Sequence, residues 1–283
     1  MAERFDFFSL PHTTNPFGVL FQPLAILQLV DRAVTNQQFT LEDLSQRDDI
    51  WYSYQAHSSL SGIEAEEVVN GLNAALAELR SAIEKSSHVV ITLGTAWVYR
   101  HLASDSIVAN CHKQPGTQFS KELLNPQQIE NSLKAVVTAI RKLNSKAVFI
   151  FTVSPVRHIK DGMTENARSK AHLLTAVHNV IESSEHTFYF PAYEIMMDEL
   201  RDYRYYNSDL IHPNNQAIFH IWDGFKEAWV AESAKALFNR IGGLKAAMNH
   251  TSQIPGSNAH RDFKKQLAQS LEEFRAEFPH ISI

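Results

Sequence analysis

Three short apolar runs alternate with long amphipathic segments over the middle of this sequence. The runs are 88–93, 147–153 and 187–190. They are rich in β-branched and aromatic residues and have the length of buried strands. Helical spacing of apolar residues covers 61–85, 125–143, 164–181 and a long stretch from 213 to 239. Strands that alternate with helices in this way predict an α/β domain whose parallel sheet is covered by helices on both faces.

The two ends of the chain are less regular. Residues 19–21 predict a short strand or a buried loop, and Gly242-Gly243 has the composition of a hinge. Residues 251–258 read as a linker, and 261–278 as a charged helix. We therefore divide the chain into a domain over 1–240 and a C-terminal appendage over 241–283. The appendage is expected to pack on the domain or on a second copy of the chain, which would form a homo-oligomer.

Composition removes several function classes. The 283 residues carry 26 Lys+Arg and 31 Asp+Glu, a formal charge of −5, which disfavours a general nucleic-acid surface. No run of apolar residues is long enough for a transmembrane helix, and the first residues lack the pattern of a signal peptide. The single cysteine excludes an intrachain disulfide and favours a reducing, cytoplasmic location. The 14 histidines show no metal-ligand spacing, so we expect neither a metal nor a cofactor.

The sharpest chemical signal is Asp209-Leu-Ile-His212, directly before Pro213. A histidine that acts as a general base needs its second ring nitrogen held by an acceptor, usually a carboxylate. This spacing in a tight loop can bring Asp209 to Nδ1 of His212 and leave Nε2 free for a nucleophile. The alternative is that Asp209 caps the next helix and His212 is an ordinary surface residue.

Further polar candidates follow the predicted strands, where ligands bind in open α/β sheets. They are Gly94, Thr95, Ser154, Arg157 and His158. Ser154 is a possible substrate contact, although a serine at such a place more often caps a turn. Arg157 has the chemistry to hold an anionic group by bidentate hydrogen bonds. A salt bridge between Arg157 and Asp161 or Glu194 explains it equally well.

Several stretches together resemble the GSCFA domain family, which is related to the SGNH hydrolase superfamily. They are NPFGVLF at 15–21, ITLGTAWVYR at 91–100, VANCHK at 108–113, FTVSPVRHIKDG at 151–162, YFPAYEIMMDELRDYRYY at 189–206 and DLIHPN at 209–214. The resemblance implies a flavodoxin-like three-layer sandwich of the SGNH type. It also implies serine-dependent esterase or acyl-transfer chemistry, with Asp209 and His212 matching the SGNH pair.

The residues of the SGNH oxyanion hole are only partly matched in this sequence. Gly18 lies where the SGNH oxyanion glycine would lie, and Asn15 in the same stretch is a substrate-binding candidate. Gly94 opens the block that normally supplies an asparagine, but Ala96 or Trp97 occupies that place. One donor is therefore absent or is supplied by another group, for which His57 is a candidate.

The largest departure from the family lies at the start of the chain. The family is named for a Gly-Ser-Cys-Phe-Ala motif at the end of its first strand, and its serine is the expected nucleophile. No such motif is present here, and residues 2–8 resemble the helix that follows it. Because strand one is central in a 2-1-3-4-5 sheet, we expect a gap beside strand 88–93. A truncated chain explains this better than a naturally shortened protein.

Cys111 and His112 form a tempting pair near the expected edge of the site. In a strand, adjacent side chains point to opposite faces, so the two are badly placed to act as a thiolate–imidazole couple. We interpret them as a buried cysteine beside a histidine that lines the site.

Two functions follow from these residues. The first is an SGNH-like ester hydrolase or acyltransferase domain that acts on a small-molecule or glycan ester, with the serine nucleophile absent from this chain. The alternative is a non-catalytic module that binds a small ligand or a partner on the same fold.

Overall fold

The computed structural model describes residues 2–279 and 281–283. The helices are α1 (Ala2–Phe7), α2 (Pro23–Thr35), α3 (Ala65–Lys85), α4 (Pro126–Leu143), α5 (Met163–Ser183), α6 (Ala192–Glu194), α7 (Asn215–Trp229), α8 (Glu232–Met248) and α9 (Asn258–Glu277). The strands are β1 (Ser45–Arg47), β2 (Ile50–Tyr52), β3 (His88–Leu93), β4 (Trp97–His101), β5 (Ser106–Val108), β6 (Phe119–Leu123), β7 (Val148–Val153) and β8 (Thr187–Tyr189). None of these helices combines the length and hydrophobicity needed to cross a bilayer.

The chain divides into two compact units. One comprises residues 15–221, and the other comprises the described part of 1–14 together with 222–283. All the candidate site residues lie in the first unit.

The first unit is built on a parallel sheet in the order β3-β7-β8, which confirms the predicted parallel α/β core. β7 is the central strand, and its side chains from Phe149 to Val153 are buried. Helices α2 to α5 pack against one another, and their apolar stripes form one continuous core with this sheet. In α4 the stripe comprises Ile129, Leu133, Val136 and Ile140, none more than 1% exposed. Capping by Asn125, which accepts from the amide of Gln128, starts α4 where the sequence predicts.

A second, antiparallel sheet follows β3 directly, in the order β5-β4-β6. The sequence did not predict it. Its strands are short and mostly half-buried, so they lack the clear alternation that marks a strand in isolation. Cys111 and His112 come after β5 in a loop, not in a strand as we assumed.

Residues 19–21 form neither a strand nor a buried loop. Val19 is 59% exposed and Phe21 is 39% exposed. The carbonyl oxygen of Phe21 nevertheless accepts from the amides of Gly94 (2.7 Å) and Thr95 (3.3 Å), which brings this segment to the end of β3.

The predicted long helix over 213–239 is two helices in the structure. α7 ends at Trp229, and α8 begins at Glu232 after Ala231, whose backbone is extended. The interruption contains neither glycine nor proline, so no local residue indicated it. The hinge predicted at Gly242-Gly243 is also wrong, because α8 continues through both glycines to Met248. In the second unit α9 contacts α8, and Phe274 on α9 is fully buried.

The central position of β7 can be tested by mutation. Phe151 on β7 is fully buried, so Phe151→Ala should lower the free energy of unfolding by about 3–5 kcal/mol through lost burial and an unfilled cavity. Phe188 on the neighbouring β8 is 44% exposed, and Phe188→Ala should lower it by less than about 1.5 kcal/mol. Urea denaturation measures both values, and equal losses would contradict the placement of β7 at the centre.

Candidate active site

Asp209 and His212 form a hydrogen-bonded pair in the loop before α7. Oδ2 of Asp209 lies 2.7 Å from Nδ1 of His212. Oδ1 accepts from the amides of Ile211 (2.8 Å) and His212 (3.0 Å). Hydrogen bonds from the amide of His212 and then from its ring lower the pKa of Asp209 to about 2. The carboxylate is therefore ionised at neutral pH, which assigns the proton of neutral His212 to Nδ1 and leaves Nε2 as an acceptor.

The conformation of this loop is fixed from several sides. Leu210 has a φ of 58°, in the left-handed region, so the turn between Asp209 and His212 is tight. Nη1 of Arg157 donates to the carbonyl oxygen of Leu210 at 3.0 Å. The amide of Asn207 donates to the carbonyl oxygen of His212 at 2.8 Å. Local strain and long-range hydrogen bonds together define the position of the imidazole.

Arg157 takes neither of the salt bridges considered from the sequence. Asp161 pairs instead with Lys121, and Glu194 accepts from the hydroxyl of Tyr189. The guanidinium of Arg157 lies 4.1 Å from the ring centroid of Tyr206. Arg157 therefore links the loop after β7 to the Asp209–His212 loop, and the aromatic segment before Asp209 packs against it.

Gly94 ends β3 at a point of close approach. A Cβ at this position would lie 2.8 Å from Cβ of Phe21 and 3.0 Å from Nε2 of His158, so only glycine fits. Its amide donates to Phe21 and is not free to donate to a substrate oxygen in this conformation. Thr95, the next residue, is buried, and its hydroxyl is 3.0 Å from that of Ser169. The side chain of Thr95 therefore stabilises the turn between β3 and β4.

Ser154 ends β7 beside Gly94. Its amide donates to the carbonyl oxygen of Leu93 at 2.8 Å, and its hydroxyl accepts from the amide of Val156 at 3.2 Å. These are the contacts of a turn-capping serine.

Lys170 is a charged residue of this region that sequence reasoning missed. It projects from α5 with only 1% of its surface exposed. Its Nζ donates to the carbonyl oxygens of Gly94 and Ser154, both at 2.6 Å. Burial lowers its pKa to about 7. The sequence did contain a signal that Lys170 is buried, because it lies three residues before Leu173 on the apolar stripe of α5.

His158 lies next to this lysine. Its amide donates to Oδ1 of Asn166 at 2.8 Å, and its ring centroid is 5.3 Å from that of Phe21. Burial, followed by repulsion from Lys170 and His212, lowers the pKa of His158 to about 4. The imidazole is therefore neutral at physiological pH, and His212 is near enough to act on it electrostatically.

Asn15 and Gly18 form a separate turn, and His57 packs against it. The amide of Gly18 donates to the carbonyl oxygen of Asn15 at 2.8 Å. Gly18 has a φ of 76°, and a Cβ there would collide with His57. Nδ1 of His57 accepts from the amide of Ser59 at 3.2 Å. Among the described residues, no hydrogen bond or ring contact joins this turn to His212, and the amide of Gly18 is occupied in this conformation.

Among the described residues, no hydrogen bond or ring contact joins Cys111 or His112 to Asp209 or His212. Nε2 of His112 is 2.9 Å from the carbonyl oxygen of Ser53, and its ring stacks on Tyr52 with centroids 4.3 Å apart. Burial lowers the pKa of His112 and raises that of the Cys111 thiol, so the two groups do not form an ion pair. Within residues 2–279 and 281–283, no cluster of three or more potential metal ligands is found.

Comparison with known families places this geometry in context. The GSCFA family matches residues 1–225, a range that includes every candidate residue described above. The chain belongs to the GSCFA family. A search of curated proteins found no match. In this GSCFA protein the Asp209–His212 loop, the ends of β3 and β7 and the buried Lys170 all fall inside the family region.

Lys170 predicts a pH dependence of stability. Its pKa is 10.5 in an exposed side chain and about 7 in the folded protein, so between these values the unfolded chain binds a proton that the folded protein has released. This group makes the free energy of unfolding rise with pH, by at most about 1.4 kcal/mol per pH unit. Below pH 7 its burial penalty is fully present.

Replacement of Lys170 should remove this contribution. Urea denaturation of wild type and Lys170→Met at several pH values between neutral and the ordinary lysine pKa should show a flatter slope for the variant. Lys134→Met, which changes a half-buried lysine paired with Glu130 on α4, serves as the control and should keep the wild-type slope. Identical slopes in all three proteins would contradict the assignment of a shifted pKa to Lys170.

Proposed function

We propose that this GSCFA protein is an SGNH-like ester hydrolase or acyltransferase domain in which Asp209 and His212 act as the base pair. The observation that supports the proposal is the 2.7 Å contact between Oδ2 of Asp209 and Nδ1 of His212. It is the acceptor–imidazole contact that a serine-dependent acyl transfer requires.

The chemistry follows from that contact. Nε2 of His212 takes the proton of a serine hydroxyl as its oxygen attacks the ester carbonyl. Asp209 holds the tautomer and stabilises the imidazolium, which then gives the proton to the leaving alcohol. Water or a second alcohol repeats the cycle on the acyl-enzyme, and the access of water to the site decides between hydrolysis and transfer.

The nucleophile is the missing element. Among the described residues, no serine hydroxyl makes a hydrogen bond to Nε2 of His212. The open edge of β3 suggests where the serine enters. The carbonyl oxygen of Leu93 accepts from the amide of Ser154 and therefore points toward β7. Main-chain groups of successive residues in a strand point to alternate sides, so those of Val90 and Thr92 point to the opposite edge of β3. These groups have no hydrogen-bond partner in the described chain, and Thr92 is exposed. We propose that a further parallel strand adds here and carries the serine.

The proposal also covers the oxyanion hole, the substrate, the location and the oligomeric state. His57 stays a candidate for the oxyanion hole, whereas Gly18 and Gly94 can serve only after their amides release the carbonyl oxygens of Asn15 and Phe21. An uncompensated loss of one donor lowers the rate about 10²–10³-fold. We propose a small-molecule or glycan ester as the substrate, approaching over Thr95, Ser154 and Arg157. The single cysteine supports a cytoplasmic location. The C-terminal helix α9 is our candidate for a contact in a homo-oligomer.

The test uses p-nitrophenyl esters from acetate to decanoate. The protein is produced with the residues encoded in frame upstream of residue 1. We expect turnover that His212→Ala reduces at least about 10⁴-fold and Asp209→Asn reduces about 10⁴-fold, because both changes destroy the oriented base. His178→Ala, an exposed histidine on α5, is the control and should retain wild-type activity.

Two results would contradict the proposal. If the wild-type protein and His212→Ala are equally active on every ester, His212 is not the base. If the upstream sequence encodes no serine-bearing segment, the idea of an added strand is wrong.

The absence, among the described residues, of a serine hydroxyl bonded to Nε2 of His212 also favours the second function, a non-catalytic binding module. In that case acetate or inorganic phosphate, as anionic probes, should raise the Tm without turnover, and Arg157→Ala should abolish the shift. Arg168→Ala, which removes an exposed arginine on α5, is the control and should leave it intact. Equal shifts in all three proteins would exclude Arg157 as the anion contact.

A further inference from the structure

The ends of β3 and β7 are joined by a single side chain. Nζ of Lys170 donates to the carbonyl oxygens of Gly94 and Ser154, the residues that follow these two strands. The neighbouring Ser169 uses its hydroxyl to accept from the amide of Ala96 at 2.7 Å. One turn of α5 therefore organises both segments at the carboxyl edge of the sheet, where ligands bind in open α/β folds.

His158 is held next to Gly94, at the carboxyl end of β3. Asn166, one turn before Lys170 on α5, accepts from its amide. Nε2 of His158 lies in the space that any side chain at position 94 would fill, 3.0 Å from the position of a Cβ. Among the described residues, no group makes a hydrogen bond to either ring nitrogen of His158. Both ring nitrogens of this half-buried imidazole are therefore available to a ligand.

An ester-cleaving site needs a hydrogen-bond donor for the oxygen of the ester carbonyl. The amides of Gly94 and Gly18 already donate to Phe21 and Asn15, so neither offers a hydrogen to an incoming oxygen in this conformation. The main-chain amide of Arg157 approaches the carbonyl oxygen of Ile211 at 3.4 Å, which brings the His158 segment against the loop of His212. His158 is therefore a candidate donor on a segment that contacts the loop of the base.

We propose that His158 is a catalytic residue that donates a hydrogen bond from its neutral imidazole to the carbonyl oxygen of the ester, and that Lys170 is its positioning residue. This proposal rests on the proposed function. Lys170 holds the strand ends against which His158 packs and opposes a second proton on its ring. A neutral imidazole can then stabilise the developing oxyanion without competing with His212 for the proton of the nucleophile.

The groups that act on His158 come from each element around it. Lys170 approaches from α5, His212 from the loop before α7, and Phe21 contributes an uncharged ring. Lys170 and His212 both disfavour a charge on His158. No carboxylate is among the groups that shift the pKa of His158, so no ion pair restores the second proton.

The first experiment measures the protonation of His158 directly. Long-range ¹H–¹⁵N spectra of histidine-labelled protein are recorded as a function of pH. His158 should stay neutral down to about pH 4. Lys170→Met should raise its titration midpoint by on the order of one pH unit, Lys170→Arg should not, and Lys134→Met is the control. A wild-type midpoint near the ordinary histidine value, or no change in Lys170→Met, would overturn the proposal. If Lys170→Met does not fold, the wild-type midpoint still decides.

The second experiment tests contact with a substrate. Ethyl butyrate is titrated into the same sample, and the ring signals of His158 and His212 should shift together. His158→Phe should weaken binding at least about threefold, and His158→Gln, which keeps a neutral N–H donor, should restore it. A shift at His212 alone would overturn the role of His158 but leave the proposed function standing. No shift at either histidine would overturn both.

Discussion

The parallel pairing of β3 with β7 is the constraint on which the rest of this structure depends. Residues His88–Leu93 pair in register with Val148–Val153, so the two strands end side by side at the same edge of the sheet. Gly94 and Ser154 therefore meet there, and their carbonyl oxygens are both within reach of Lys170. A shift of one residue in this register would turn every side chain of one strand to the wrong face and separate these two carbonyls.

The candidate site uses this edge to place two imidazoles in different electrostatic surroundings. His212 faces the carboxylate of Asp209 in an exposed loop. His158 is half-buried and lies within electrostatic range of Lys170. A base and a neutral donor require such opposite surroundings, because the first must accept a proton during the reaction and the second must keep only one. Burial of His158, followed by repulsion from Lys170 and His212, makes the difference.

The sequence predicted those elements whose cause is local. The strands predicted at 88–93, 147–153 and 187–190 were identified from β-branched and aromatic composition, although only β7 is buried along most of its length, and α4 was identified from its cap and its apolar stripe. The antiparallel strands β4, β5 and β6 were missed because they are stabilised by pairing with one another rather than by a pattern within each strand. The break before α8 was missed because the backbone turns at Ala231 without glycine or proline.

At the site, the sequence by itself determined the Asp209–His212 pair. A three-residue spacing in a tight loop leaves little freedom in how the carboxylate meets the ring. Only the tertiary structure decided the rest. It showed that the amides of Gly18 and Gly94 are occupied, that Arg157 holds the loop of Leu210, and that Lys170 bonds to the carbonyl oxygens of Gly94 and Ser154. These contacts join residues distant in sequence, so they depend on the packing of α5 against the ends of two parallel strands, which no local pattern specifies.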